Sequence, residues 1–223
     1  MSEQPIPNEG GVQELRLFPL NTVLFPGMPM PLRIFEERYK LMIGECLETE
    51  EPFGVVLIRE GLEVGGPALP YPTGTTARIT QAEKLEDGRM NLSTVGERRF
   101  QIVDTIHETP YLKGNVRYLP EETGDMEEGL LTGAQTLFSE YIQGLSGLRG
   151  GWIRQPEVPD SPGPLSFSIA HYLELPALAK QRLLEVTVSG ERLKYEVPLL
   201  EGATQRIRDE LIKRSPYQGP RLN

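Results

Sequence analysis

Two histidines, one cysteine and a scatter of adjacent acids are the groups from which catalysis would have to be built in this 223-residue chain. A catalytic thiol needs a base or a cation to hold it as thiolate. Cys46 has no basic partner near it in sequence and lies on an apolar stripe, so it reads as an inert core thiol. His107, followed by Glu108, and His171, followed by Tyr172 and Glu174, lack the His-Glu-x-x-His spacing that puts two ligands on one helix face, and they read as ordinary histidines. Glu36-Glu37, Glu50-Glu51 and Glu127-Glu128 imitate a carboxylate dyad. Adjacent helical side chains diverge by about 100°, however, and do not share a proton, so these pairs read as solvated faces. No Gly-x-Ser-x-Gly elbow, Gly-x-x-x-x-Gly-Lys-Ser/Thr loop or Gly-x-Gly-x-x-Gly turn occurs. The expectation is a chain with no catalytic residues, metal or cofactor.

Charge narrows the partners. Thirty-two acidic side chains face 23 basic ones, a formal net charge of −9. Phosphate binding depends on clustered Lys and Arg, so a nucleic-acid partner is not expected. The adjacent basic pairs, Arg98-Arg99 and Lys213-Arg214, read as solvated surface. One cysteine excludes an internal disulfide and a multi-cysteine metal site. No run of about 18 apolar residues occurs, and residues 1–11 are polar with no apolar signal core, so the expectation is a soluble, cytoplasmic protein without a membrane partner.

The elements follow from spacing. The 23 glycines and 20 prolines predict many turns and short strands. Residues 1–11 are expected to be disordered. A proline-bearing strand over 15–24 leads to Phe25-Pro26-Gly27-Met28, where Pro26 and Gly27 suit the two central positions of a type II turn. Pro29 and Pro31 keep the chain extended. Tyr39, Met42, Ile43, Cys46 and Leu47 mark one face of a helix over 36–48. Residues 54–58 form an apolar run that predicts a buried strand, and 61–74 reads as an exposed, mobile loop. A strand over 75–84 turns at Asp87-Gly88 into a return strand over 90–95, with further strands at 99–108 and 113–119. Beyond Pro120 the period becomes helical. Met126, Leu130, Ala134, Leu137 and Tyr141 share a face, a loop is expected over 144–164, and three more helices follow, with Ser189 as a cap and a kink or break at Pro198. The predicted class is α+β, with a β barrel plugged by one helix over 12–120, a helical bundle over 121–214 and a tail over 215–223.

The run Phe18-Pro19-Leu20-Asn21-Thr22-Val23-Leu24-Phe25-Pro26-Gly27-Met28-Pro29-Met30-Pro31-Leu32 resembles the opening strand, Phe-Pro-Gly turn and proline-spaced return strand of the amino-terminal domain of Lon proteases. Gly74-Thr75-Thr76-Ala77-Arg78-Ile79, the turn Leu85-Glu86-Asp87-Gly88 and Gly96-Glu97-Arg98-Arg99-Phe100 are similar to further segments of that family, in the same order. A weaker likeness runs through 169–173 and 180–185. The resemblance implies a PUA-like pseudo-barrel with a helical subdomain behind it, and a role in capturing polypeptides. It implies no ATPase or Ser-Lys protease here, because the motifs of both are missing.

On this reading the chain binds unfolded or degradation-tagged polypeptides, in protein quality control, through apolar contact and strand addition at an open sheet edge. Met28 and Met30 are the first candidate contact residues, since flexible thioethers adapt to varied partners. Phe53 and Trp152 come next. A regulatory or assembly adaptor docking on a separate protease or ATPase is the alternative, and PUA-like RNA binding a remote one.

Overall fold

The computed structural model describes residues 11–106, 110–148 and 157–214. It is an α+β protein whose chain divides into two units: Met1–Glu121 with Glu174–Thr187, and Glu122–Leu173 with Val188–Asn223.

The first unit contains six strands, β1 (Val12–Leu20), β2 (Pro29–Ile34), β3 (Phe53–Gly61), β4 (Ala68–Lys84), β5 (Met90–Ile106) and β6 (Lys113–Tyr118), with helix α1 (Glu37–Thr49) between β2 and β3. The pairing order is β2-β5-β4-β3-β1-β6, and β5 also pairs with β6, so five strands close on themselves while β2 flanks β5. β1 lies parallel to β3 and antiparallel to β6, with Leu17 opposite Gly54 and Leu15 opposite Gly114.

Two side-chain clusters fill this unit. In one, the α1 stripe of Tyr39, Met42, Ile43 and Cys46 packs with Phe18, Phe53, Val55 and Leu92. In the other, Leu15, Leu17, Val56 and Val116 surround Phe100. The Phe100 ring requires glycine opposite it. A Cβ on Gly54 would stand 2.6 Å from Phe100 Cζ, and one on Gly74 would stand 2.7 Å from the same atom.

Long-range pairing changes several local expectations. Residues 68–74, expected as mobile loop, form the start of β4, because Gly61, Glu60 and Ile58 of β3 pair with Ala68, Leu69 and Pro70. Pairing supplies order here where side-chain alternation gives no signal. The strands expected at 90–95 and 99–108 are one strand, β5, flanked by β2 over its first half and by β6 over its second.

The turn between β4 and β5 also differs in detail. Leu85 O accepts from Gly88 N, Arg89 O accepts from Leu85 N, and Gly88 has φ +78°. Glu86 and Asp87 are therefore the central pair, and Gly88 takes the left-handed position that follows them, as in a three-residue hairpin loop.

Helix α4 (Ala177–Glu185) belongs to this first unit, although the sequence reading assigns it to the helical half. Gln181 Nε2 donates to Thr73 O at 3.0 Å, and Arg99 holds the residues that follow the helix.

The second unit contains α2 (Leu130–Leu148), α3 (Pro162–Tyr172) and α5 (Ser189–Arg214). α2 starts later than expected because Gly124 and Gly129 adopt positive φ of 66° and 83°, which leaves Met126 outside the helix. Its buried face is Ala134, Phe138, Tyr141 and Ile142, so Phe138 takes the place expected of Leu137. α2 continues to Leu148, and α3 occupies 162–164, so both ends of the expected 144–164 loop are helical. α5 runs through Pro198 unbroken. Pro198 is exposed, whereas Leu193, Leu200, Ala203 and Ile207 carry the packing. Ser189 does not cap α5 in the expected way; its hydroxyl donates to Glu122 O at 3.1 Å.

Candidate functional site

The turn that opens β2 is pinned by main-chain hydrogen bonds. Met28 N donates to Phe25 O at 3.1 Å across Pro26-Gly27, and Gly27 has φ +76°, the positive value a type II turn needs at that position. Gly27 N donates to Gly96 O, Gly96 N donates to Met28 O, and Thr94 Oγ1 donates to Met30 O at 2.7 Å. The side chains of Met28, Met30 and Leu32 are half-buried against the first cluster. The two methionines thus divide their surface between core and solvent.

Phe53 is fully buried, its ring 6.0 Å from that of Phe18. It is a core residue and offers no contact to a partner, which corrects the expectation from sequence. Its position at the head of the continuous run Phe53–Leu57 is the signal that identifies it as interior. Trp152 lies outside the described residues, as does His107.

The 62–67 loop presents an arrangement that no sequence motif announces. Its polar groups are held from elsewhere: Glu36 Oε2 accepts from Gly65 N at 3.1 Å, Arg38 Nη1 donates to Gly66 O at 3.1 Å, and Glu63 Oε2 accepts from Asn21 N at 3.0 Å. Glu36 also pairs with Arg38 at 3.0 Å. The apolar side chains point outward, with Leu62 66% and Val64 54% exposed, and Leu69 beyond them 43% exposed. Glu36 is therefore a half-buried loop anchor, which corrects its reading as part of a solvated face, whereas Glu37 is exposed.

A second polar group lies under α1. Arg16 Nε pairs with Glu45 at 3.0 Å and its Nη1 with Glu51 at 2.8 Å, while Tyr111 Oη donates to Glu45 Oε2. The Tyr111 hydrogen bond and then Arg16 hold the Glu45 carboxyl below its ordinary range. Burial pushes the Cys46 thiol up to about 11, so at neutral pH it is neither a thiolate nor a nucleophile.

Arg99, expected on the surface, is buried. Its Nη1 donates to Leu184 O at 2.9 Å and Val186 O at 2.7 Å, and its Nη2 donates to Pro120 O at 2.9 Å and pairs with Glu121 at 2.5 Å. A guanidinium has enough donors in one plane to satisfy several carbonyls and a carboxylate at once, which makes its burial tolerable. The adjacent Arg98 is half-buried, its guanidinium carbon 4.0 Å from the centre of the Tyr118 ring.

Among the described residues no group of three or more His, Cys, Asp and Glu is placed to hold a metal ion, and no helix is long and apolar enough to cross a membrane.

Comparison with known proteins agrees with this architecture. Residues 14–202 match the ATP-dependent protease La (LON) substrate-binding domain. Relatives include Lon protease 2 of Myxococcus xanthus, 31% identical over 193 residues, and Lon protease of Anaeromyxobacter dehalogenans, 30% identical over 191 residues. The matches cover 84% and 83% of this chain, but 23% of each relative. A Lon N-terminal domain protein from Xanthomonas campestris superposes with a TM-score of 0.65 at 27% identity, over 82% of this chain and 96% of that one. The N-terminal domain of Lon protease from Mycobacterium avium complex gives 0.62 at 20% identity, over 85% and 98%, and supports the fold. The chain belongs to the Lon substrate-binding domain family.

Proposed function

We propose that this chain binds polypeptides that expose apolar side chains, such as unfolded or degradation-tagged chains in cytoplasmic protein quality control, and carries out no bond-breaking itself. The observation behind this reading is the 62–67 loop, in a family described by substrate binding. Glu36 and Arg38 hold its main chain and its own Glu63 carboxylate accepts from Asn21 N, while Leu62 and Val64 face solvent. A loop ordered in advance loses less entropy when a guest docks on its apolar tips. The five-strand closure supports a PUA-like pseudo-barrel, and the packing of α2, α3 and α5 supports a helical bundle in the second unit.

Titration of fluorescent, denatured casein tests the proposal. Binding that persists as salt is raised supports apolar capture, because screening weakens only electrostatic contacts. The double substitution Leu62→Ser with Val64→Ser is expected to weaken binding at least about fivefold, in line with the loss of two interface anchors, with an unchanged melting temperature. Absence of casein binding by the unsubstituted protein would refute the reading.

The adaptor alternative draws on α5, where Tyr195 and Leu199 stand four residues apart and are 62% and 42% exposed. That spacing puts both on one face, as a docking helix requires. Recovery of a single stoichiometric protease or ATPase partner, lost on Tyr195→Ser with Leu199→Ser, would favour it.

A further inference from the structure

β2, β5 and β4 lie side by side, and their register builds a grid on the exposed face of the sheet. Pro31 pairs with Ser93 and Ser93 with Gln81; Arg33 pairs with Asn91 and Asn91 with Glu83. All six side chains are exposed and line an open groove of about 740 Å³. Leu92, one residue from both Asn91 and Ser93, is buried in the first core cluster, as the two-residue alternation of a strand requires.

The chemistry of the grid is polar and unevenly occupied. Asn91 Nδ2 donates to Glu83 Oε2 at 3.2 Å, so that carboxylate already has a partner. The nearby turn cation is taken as well, since Arg89 pairs with Asp87. Arg78, farther along β4, is paired with Glu97 at 2.5 Å. Arg33 differs: among the described residues its guanidinium makes no ion pair and no side-chain hydrogen bond, and its charge reaches the turn carboxylate of Asp87 only weakly, after Arg89. In a chain of net charge −9, an exposed arginine left unpaired in a concave groove has its donors available for an incoming carboxylate.

The edge of the sheet is less suited to a guest than its face. β2 pairs with β5 on one side, and its Pro29 and Pro31 have no N–H to offer along the other. A strand added there would meet carbonyls without the matching donors. The expectation of strand addition at an open edge therefore loses support at β2, and the amide of Gln81 and the hydroxyl of Ser93 supply both donors and acceptors on the face.

We propose that this face binds an extended polypeptide segment carrying an acidic side chain, with Arg33 paired to that carboxylate and Gln81 and Ser93 bonded to the guest's main chain. The proposal rests on the polypeptide-binding reading above and names a class of segment for it.

The experiment uses short, end-blocked, extended fluorescent peptides that differ only in one central Glu, Gln or Lys, read by anisotropy at low and high salt. The Glu peptide is expected to bind about three- to fivefold tighter than the Gln peptide at low salt, the range of a solvent-exposed ion pair. Arg33→Gln should abolish that preference, and Arg33→Glu should transfer it to the Lys peptide. Arg33 is exposed, so unchanged melting curves are expected for both variants. A Glu peptide that binds no tighter than the Lys peptide would overturn the proposal. So would a preference for Glu that survives both substitutions, or affinity only for a Gln peptide with a free carboxyl terminus. A missing Glu preference in the unsubstituted protein, with casein still bound, would remove this inference while leaving the broader reading standing.

Discussion

Arg192 and Glu196 stand one turn apart on α5, both fully buried, yet Arg192 Nε donates to Ser166 Oγ at 2.7 Å and neither carboxylate oxygen of Glu196 accepts a hydrogen bond. The arginine's guanidinium carbon also lies 3.9 Å from the centre of the Phe167 ring. Burial drives the Glu196 carboxyl well above its ordinary range, and the positive charge of Arg192 opposes this only in part.

This has a direct consequence for stability against pH. Between the unfolded carboxyl value of about 4.3 and the higher folded value, the folded state holds a proton that the unfolded state has lost. Stability therefore falls as pH rises through that window, by up to about 1.4 kcal/mol per pH unit, and levels off above it. Glu196→Gln should remove this slope and raise the urea midpoint at pH 8 more than at pH 5. A substitution that lowers the midpoint equally at both values would contradict the assignment.

Arg99 should be among the most costly side chains to lose in the first unit. It bonds Leu184, Val186 and Pro120 carbonyls and the Glu121 carboxylate from a buried position. Arg99→Met is expected to destabilise by about 3–5 kcal/mol and to make residues 174–187 the first site of proteolytic cleavage. Arg98→Met should cost about 1 kcal/mol or less, since it gives up mainly a stacking contact with Tyr118. Denaturant titrations of the two variants compare adjacent arginines directly.

Gly54→Ala should destabilise by about 1–3 kcal/mol, because its methyl group would lie 2.6 Å from Phe100 Cζ and 2.8 Å from Leu15 and Leu17 side chains. Combined with Phe100→Leu, which vacates the far end of the ring, the pair should be less destabilised than the sum of the singles. Strict additivity in a double-mutant cycle would exclude the steric account.

Cys46 is expected to resist thiol reagents in the native protein at pH 8, being fully buried with its pKa pushed to about 11. Colour from an aromatic disulfide reagent should appear only with unfolding, at the rate of global opening. Rapid labelling of folded protein would show that α1 leaves the core more readily than its packing implies.

The features that sequence discloses are those encoded by near neighbours. Pro26-Gly27 specifies its turn through two residues whose backbone preferences match its central positions, and the Tyr39, Met42, Ile43 and Cys46 stripe announces the buried face of α1, although Leu47, expected on the same face, is exposed near the end of the helix. The features it conceals depend on distant partners. Nothing adjacent to Arg99 shows that Leu184 and Val186 will bring their carbonyls to it. The 62–67 loop is poor in periodic signal, and its order comes from Glu36, Arg38 and Asn21. Phe53 illustrates a different error: a large aromatic suits a contact residue by type, but its alignment with Val55 and Ala77 in the core cluster decides its role.

The position of β6 also bears on biosynthesis. It hydrogen-bonds to β1 on one flank and to β5 on the other, so the first of the described strands to be synthesised waits for the sixth before its flank is covered. Until Tyr118 emerges, Val12–Arg16 and the second half of β5 stay bare in the nascent chain, which is when a chaperone or a neighbouring copy has access to them.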